Sequence, residues 1–146
     1  MSHLLPPDLF TRAGLGFVRV AAISPELRVA DVTFNTERTI AAMQAAAAAG
    51  CQLAVFPELG LTSYSCADLF SQTLLLTAAR AALEEVADAS GLYNIAAVVG
   101  LPLQVLGRVF NCVALVAGGQ IVGIIPKTFL PSTNEFYESR WFTSGL

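Results

Sequence analysis

Short apolar, β-branched runs alternate with segments of helical periodicity in this chain, and that alternation constrains the fold more than any other feature. Strands are predicted at residues 17–23, 52–56 and 95–100, and helices between them at 34–49 and 74–89. Two further apolar runs, 110–117 and 120–125, flank Gly118-Gly119, a pair typical of a two-residue hairpin. Strands that alternate with helices predict an α/β fold with a largely parallel or mixed sheet.

Composition agrees with such a sheet and argues against several classes of protein. Hydrophobic residues make up 55% of the chain and charged residues 13%, as expected where strands are covered on both faces. Residues 1–16 are predicted to be an irregular lead-in without the pattern of a secretory signal, and no apolar run reaches the roughly 18 residues of a membrane-spanning helix. The net charge of −3 and the absence of a Lys/Arg cluster argue against a nucleic-acid or anionic-membrane partner.

Cysteine and histidine usage narrows the possible chemistry. Cys51, Cys66 and Cys112 are odd in number and widely spaced, which argues against a disulfide framework or a zinc site and favours a reducing cytoplasm. The single histidine, His3, lies near the terminus, so we predict no metal site and no Ser-His-Asp or Cys-His mechanism. Carboxylates or lysines must then carry any acid–base chemistry.

Two charged residues stand directly after predicted strands. Ligands of open α/β sheets bind beyond the carboxyl ends of the strands. Glu58 occurs there in the string FPEL, and Lys127 in the string IPKT. Spacing alone favours ordinary loop charges, but a carboxylate and an ammonium at the same sheet edge can share a site.

The segments around these two residues resemble a known family. FPELGLTSY at 56–64 resembles the nitrilase-superfamily segment around its catalytic glutamate, and GIIPKTFLP at 123–131 resembles the segment around its catalytic lysine. Residues 17–22, 64–70 and 134–142 are most similar to the glutaminase domain of glutamine-dependent NAD synthetases. The resemblance implies an αββα sandwich, of which residues 17–146 would form the N-terminal part.

The resemblance also implies a mechanism and a set of site residues. A cysteine thiolate attacks the side-chain amide of glutamine, Glu58 serves as general base, and Lys127 stabilises the oxyanion. Glu135 matches a second acidic residue that positions the substrate and the lysine, and its alternative is a solvated loop carboxylate. Tyr64 is expected either to line the glutamine pocket or to be a packed aromatic. Thr133 stands where the family usually has a tyrosine close to the substrate, so a hydroxyl remains but the aromatic wall is lost.

The nucleophile of the family is absent from this sequence. It follows the lysine after a further strand, and the chain stops at Leu146, before that position. Cys66 is the one cysteine predicted on a loop near Glu58, but it precedes the lysine and is not expected to act as a substitute. We therefore predict an inactive fragment with an uncovered apolar sheet face.

Cofactors and partners follow from the same resemblance. The domain itself needs no cofactor, whereas ATP and Mg²⁺ would bind in a C-terminal synthetase domain, and the family implies a homo-oligomer. Two alternatives stay open: another amidase or carbamoylase of the superfamily, and a non-catalytic α/β regulatory module, which the missing cysteine favours. A nucleotide-binding doubly wound domain ranks last, because no GxGxxG or Walker-type glycine loop follows a strand.

Overall fold

The computed structural model describes residues 14–146, so His3 and most of the predicted lead-in lie outside the described residues. The elements, in chain order, are β1 (Val20–Ala22), α1 (Val32–Ala48), β2 (Leu53–Val55), a kinked 3₁₀ segment (Tyr64–Ser71), α2 (Thr73–Leu92), β3 (Ala96–Val105), β4 (Arg108–Ala117), β5 (Gln120–Pro126) and a 3₁₀ turn (Glu138–Arg140). The strands form one sheet in the order β1-β2-β3-β4-β5, parallel from β1 to β3 and antiparallel from β3 to β5. The predicted α/β fold with a mixed sheet is confirmed.

Helix α1 begins and ends at residues suited to those positions. The Asp31 side chain accepts a hydrogen bond from the backbone N–H of Phe34 at 3.2 Å and so caps the first turn. Gly50, with φ of 75°, lies just past the end in the left-handed conformation that favours glycine. The helix packs against α2, and Met43 is fully buried.

Helix α2 continues past the stop predicted at Ser90-Gly91 because the hairpin between β4 and β5 packs on that turn. A Cβ at Gly91 would lie 2.9 Å from the backbone nitrogen of Gly119, so glycine is needed for the close approach. The Ser90 hydroxyl accepts a hydrogen bond from the same N–H at 3.1 Å. Tertiary contact therefore keeps residues helical that by local preference would end the helix.

Strand lengths depart from the predictions where pairing partners decide them. β1 has three residues instead of seven, because it pairs only with the three-residue β2. β3 runs on to Val105, where Leu106 and Gly107, both with positive φ, turn the chain into β4. Gly118 and Gly119 also have positive φ, as the predicted two-residue hairpin requires.

The two faces of the sheet differ. α2 packs on β3, β4 and β5, and on that face Ala97, Ala114 and Val116 are fully buried. The alternation along the strands sends their neighbours to the other face. There, Leu115 of β4 is 38% exposed and Ile125 of β5 is 67% exposed, and the described residues place no helix layer over them. We call this side the open face; among residues 14–146, helices cover the sheet only on the opposite side.

Candidate active site

Glu58 lies on a tight loop after β2 that crosses over β3. The Phe56 N–H extends the pairing of β2 with a hydrogen bond to the Val98 carbonyl at 2.9 Å, after which the chain turns. The loop rests on Gly100, and the Leu61 N–H donates to the Gly100 carbonyl at 3.1 Å. The carboxylate of Glu58 thus stands beyond the carboxyl end of β2, where ligands of such sheets bind.

Lys127 follows β5 and reaches the same edge. Its backbone N–H donates to the carbonyl of Asn111 on β4 at 2.8 Å, which continues the sheet pairing by one residue. Its Nζ lies 2.7 Å from Glu58 Oε1, although the two residues are 69 positions apart. The structure therefore brings together the carboxylate and the ammonium that the sequence placed after separate strands.

A second carboxylate contacts the same ammonium. Glu138 Oε1 lies 2.9 Å from Lys127 Nζ and also accepts a hydrogen bond from the Tyr64 hydroxyl at 2.7 Å. The side chain is 1% exposed, and its Oε2 has no hydrogen-bond partner among the described residues. Glu138 opens the 3₁₀ turn, and its backbone N–H donates to the carbonyl of Pro131 at 3.1 Å.

The structure places Glu138 against Lys127, whereas the sequence analysis named Glu135 for that position. Glu135 was expected to position the lysine, but it lies exposed on the loop before the 3₁₀ turn, as does Thr133. Tyr64 is half-buried and reaches the network through Glu138. Both glutamates belong to the same family-like stretch, and spacing alone does not distinguish the buried one from the exposed one.

Sequence reasoning missed Asn111 altogether. Its Nδ2 donates to Glu58 Oε1 at 2.6 Å, and the residue is 3% exposed. It occupies a strand that otherwise reads as apolar, from Phe110 to Ala117. A lone amide in such a strand is the signal that could have revealed it, because a buried polar side chain needs a partner.

The charges in this network fix the protonation states of two members. Burial lowers the pKa of Lys127, but the hydrogen bonds and charges of Glu58 and Glu138 outweigh it and raise the pKa above its ordinary value. Burial, the hydrogen bond to Glu138 and the nearby carboxylates raise the pKa of Tyr64. At neutral pH Lys127 is therefore an ammonium, and Tyr64 is a neutral donor.

An outer cluster fastens the turn that carries Glu138. Asp68 accepts hydrogen bonds from Arg140 Nε at 2.7 Å, from Arg140 Nη2 at 3.0 Å and from the indole N–H of Trp141 at 2.8 Å. These donors lower the pKa of Asp68 to about 2. Beneath them, the ring of Phe70 packs 4.8 Å from that of Phe142. The 3₁₀ turn is thus held to the segment after the Glu58 loop.

The network stands at one end of a cleft of about 400 Å³ on the open face. Its polar side chains are Glu58, Asn111 and Lys127. The remaining lining is mostly apolar: Val55, Phe56, Pro57, Val98, Gly100, Cys112, Val113, Ile125 and Pro126. An apolar cleft with a few convergent polar groups is the usual form of a small-molecule site.

Cys66 and Cys112 do not resemble activated nucleophiles. Burial raises the pKa of the Cys112 thiol to about 11 and also raises that of Cys66. The Cys66 thiol donates to the Thr62 carbonyl at 3.0 Å. Within the described part of the chain, all three cysteines are free of disulfides. Buried thiols with raised pKa values are the unreactive class.

Between residues 14 and 146, His, Cys, Asp and Glu side chains form no group of three that could hold a metal ion. The helices of this same range are too short or too polar to cross a membrane.

Comparisons with known proteins show the family and the fold of this chain. The family model for carbon-nitrogen hydrolase matches residues 19–146. The glutamine-dependent NAD(+) synthetase of Mycobacterium leprae is 34% identical over 138 residues, which cover 94% of this chain and 20% of that protein. The crystal structure of the corresponding synthetase from Cytophaga hutchinsonii superposes with a TM-score of 0.82 at 31% identity, covering 87% of this chain and 22% of the other.

A third comparison concerns a shorter enzyme. An amidase from Nesterenkonia sp. AN1, described with acrylamide added to its active-site cysteine, shares the fold with a TM-score of 0.75 at 23% identity. The match covers 88% of this chain and 50% of the amidase. The chain therefore spans about a fifth of the synthetases it matches and half of the amidase.

Proposed function

Because this chain belongs to the carbon-nitrogen hydrolase family, we propose that it is part of a site that hydrolyses the side-chain amide of glutamine and supplies ammonia for NAD synthesis. The observation that carries the proposal is the network of Glu58, Lys127 and Glu138 at the end of an apolar cleft. The synthetases that match most of the chain support glutamine as the substrate.

In the proposed reaction, a cysteine from outside this chain is the nucleophile. Glu58 takes the thiol proton while sulfur bonds to the amide carbon, and the ammonium of Lys127 stabilises the oxyanion that forms. The carbon–nitrogen bond then breaks, Glu58 returns the proton to the leaving ammonia, and a thioester remains. Water hydrolyses the thioester, releases glutamate and restores the thiol. Glu138 holds Lys127 in place through its Oε1.

The open face supports a nucleophile that arrives from elsewhere in the domain. Ile125, which lines the cleft, is 67% exposed, and Leu115 on the same face is 38% exposed. A contiguous apolar surface of this kind marks a site of interaction. We infer that the remainder of the domain packs there and brings the cysteine to Glu58 and Lys127, and that residues 1–146 alone are inactive.

The same premise carries several further expectations. ATP and Mg²⁺ are expected to bind in a synthetase domain outside this chain, and the protein is expected to be a homo-oligomer in the cytoplasm. The similarity to the Nesterenkonia amidase supports a second candidate function, that of an amidase without a synthetase domain. A substrate panel distinguishes the two, because only the first predicts ammonia release from glutamine coupled to NAD formation.

The proposal is tested with the complete product of the gene that encodes this chain. We expect ammonia release from glutamine, a loss on the order of 10²-fold or more in Glu58→Gln, and no change in Glu85→Gln, a matched control on the exposed side of α2. Equal activity of Glu58→Gln would refute the assigned base. Release from residues 1–146 alone would show that Cys51, Cys66 or Cys112 is the nucleophile. Activity on other amides only would favour the stand-alone amidase, and no hydrolysis at all would favour the regulatory module.

A further inference from the structure

We propose that Asn111 is a positioning residue that sets the orientation of the general base and selects which carboxylate oxygen of Glu58 takes the proton. The proposal rests on the function proposed above. It concerns a residue beside the base that was not among the site residues predicted from the sequence. It follows from the contacts of one buried side chain on β4.

Asn111 contacts both members of the central ion pair. Its side-chain Nδ2 donates to Glu58 Oε1 at 2.6 Å, and its backbone carbonyl accepts the N–H of Lys127 at 2.8 Å. Asn111 is 3% exposed, whereas the side chain of Glu58 is 45% exposed, so the amide is the more enclosed partner of the two. One buried residue of β4 thus contacts both the base and the backbone of the lysine.

The side-chain contact divides the two oxygens of Glu58. Oε1 accepts from both Asn111 and Lys127, so two donors already occupy it. Oε2 is left to take the thiol proton and later to return it to the leaving ammonia. Without the amide, only the flexible side chain of Lys127 would hold the carboxylate, and the carboxylate could turn about its last torsion.

The neutrality of the amide matters as well. A charged donor at this position would add a second cation beside Glu58 and weaken its ability to accept a proton. An amide supplies a directional hydrogen bond at no net charge. Asn111 therefore orients the base without changing the net charge of the site.

The first test replaces the side chain and leaves the backbone contact to Lys127 intact. In the complete gene product, Asn111→Leu should lower kcat per active site on the order of 10²-fold, with KM within about threefold, because a displacement near 1 Å at a reacting group costs about that much. Active sites are counted by stoichiometric alkylation of the nucleophilic cysteine. Ser90→Ala is the control: it removes a buried hydrogen bond at the opposite end of β4 and should lower stability without changing kcat per site.

The second test gives a pH signature that a purely structural role would not produce. In Asn111→Asp, the new carboxylate would face Glu58, with Lys127 as the neighbouring cation and Glu138 and Tyr64 behind it. Ionised, it repels Glu58; protonated, its O–H donates to Oε1 as the amide does. The activity of this variant relative to wild type should therefore recover as the pH falls, and that of Asn111→Leu should not.

The outcomes separate this proposal from the proposed function. A kcat for Asn111→Leu within threefold of wild type, or an Asn111→Asp profile parallel to wild type, would overturn the positioning role. A wild-type protein without amide hydrolysis would count against the function alone. In that case a crystal structure of Asn111→Leu still decides, because an unmoved Glu58 carboxylate would refute the proposal and a rotated one would support it.

Discussion

Gly100 lies where β3 passes under the loop that carries Glu58, and a single added carbon there should disturb both stability and chemistry. A Cβ at this position would stand 2.7 Å from the carbonyl oxygen of Pro57 and 2.9 Å from the backbone carbon of Glu58, and it would also clash with the backbone nitrogen of Leu59. All three neighbours are backbone atoms, so no side chain can rotate away. To regain ordinary contact distance, the loop must retreat from β3 by about 0.7–1 Å.

The magnitudes of both effects follow from that displacement. Overpacking of this kind costs about 1–3 kcal/mol, and the greater stiffness of alanine in the unfolded chain offsets only part of it. With a urea slope of about 1.5 kcal/mol per M, a loss of about 2 kcal/mol lowers the unfolding midpoint of Gly100→Ala by roughly 1 M. The same shift moves Glu58 relative to Lys127, and in the complete gene product we expect ammonia release to fall on the order of 10²-fold.

Gly123→Ala on β5 is the matched control. A Cβ there would have no atom within 4 Å, and the φ of Gly123 is not positive, so its free energy of unfolding should stay within about 0.5 kcal/mol of wild type. Both variants are measured by urea denaturation of the chain followed by circular dichroism. A Gly100→Ala protein as stable as Gly123→Ala would refute the argument that the loop is seated on β3.

Two other predictions address the carboxylates. In the complete gene product, Glu138→Gln should reduce ammonia release on the order of 10-fold or more, because Lys127 loses a charged partner. Glu135→Gln should remain near wild type. A larger loss in Glu135→Gln than in Glu138→Gln would favour the assignment made from the sequence. The pKa of Asp68 is lowered to about 2, so its carboxylate stabilises the fold, and this contribution is fully present at pH values above its ordinary pKa of 3.8. Its contribution is lost as the pH falls through about 2, so the difference in urea midpoint between wild type and Asp68→Asn should be constant at pH 5–7 and shrink between pH 4 and 2.

Local patterns in the sequence were sufficient to predict the kind and order of most elements. Alternation and helical spacing located all five strands and both long helices, and Gly118-Gly119 predicted the last hairpin. The patterns failed at ends and turns. The Leu106-Gly107 turn was not predicted, and α2 was ended too early at Ser90-Gly91, where the hairpin packs on it. Pairing partners and close contacts decide these positions, and residue preference alone does not encode them.

By itself, the sequence determined the α/β alternation and the presence of Glu58 and Lys127 after separate strands, because strand and helix periods depend on residues only two to four positions apart. Only the tertiary structure decided which groups meet around them. Lys127 reaches Glu58 across 69 residues, and Tyr64 reaches Glu138 across 74. The contact of Glu138 with Lys127, and that of Asn111 with Glu58, depend on how distant loops pack on one sheet edge. That packing is a property of the whole fold, because each contact forms only when segments that are distant in the sequence pack against the same sheet edge.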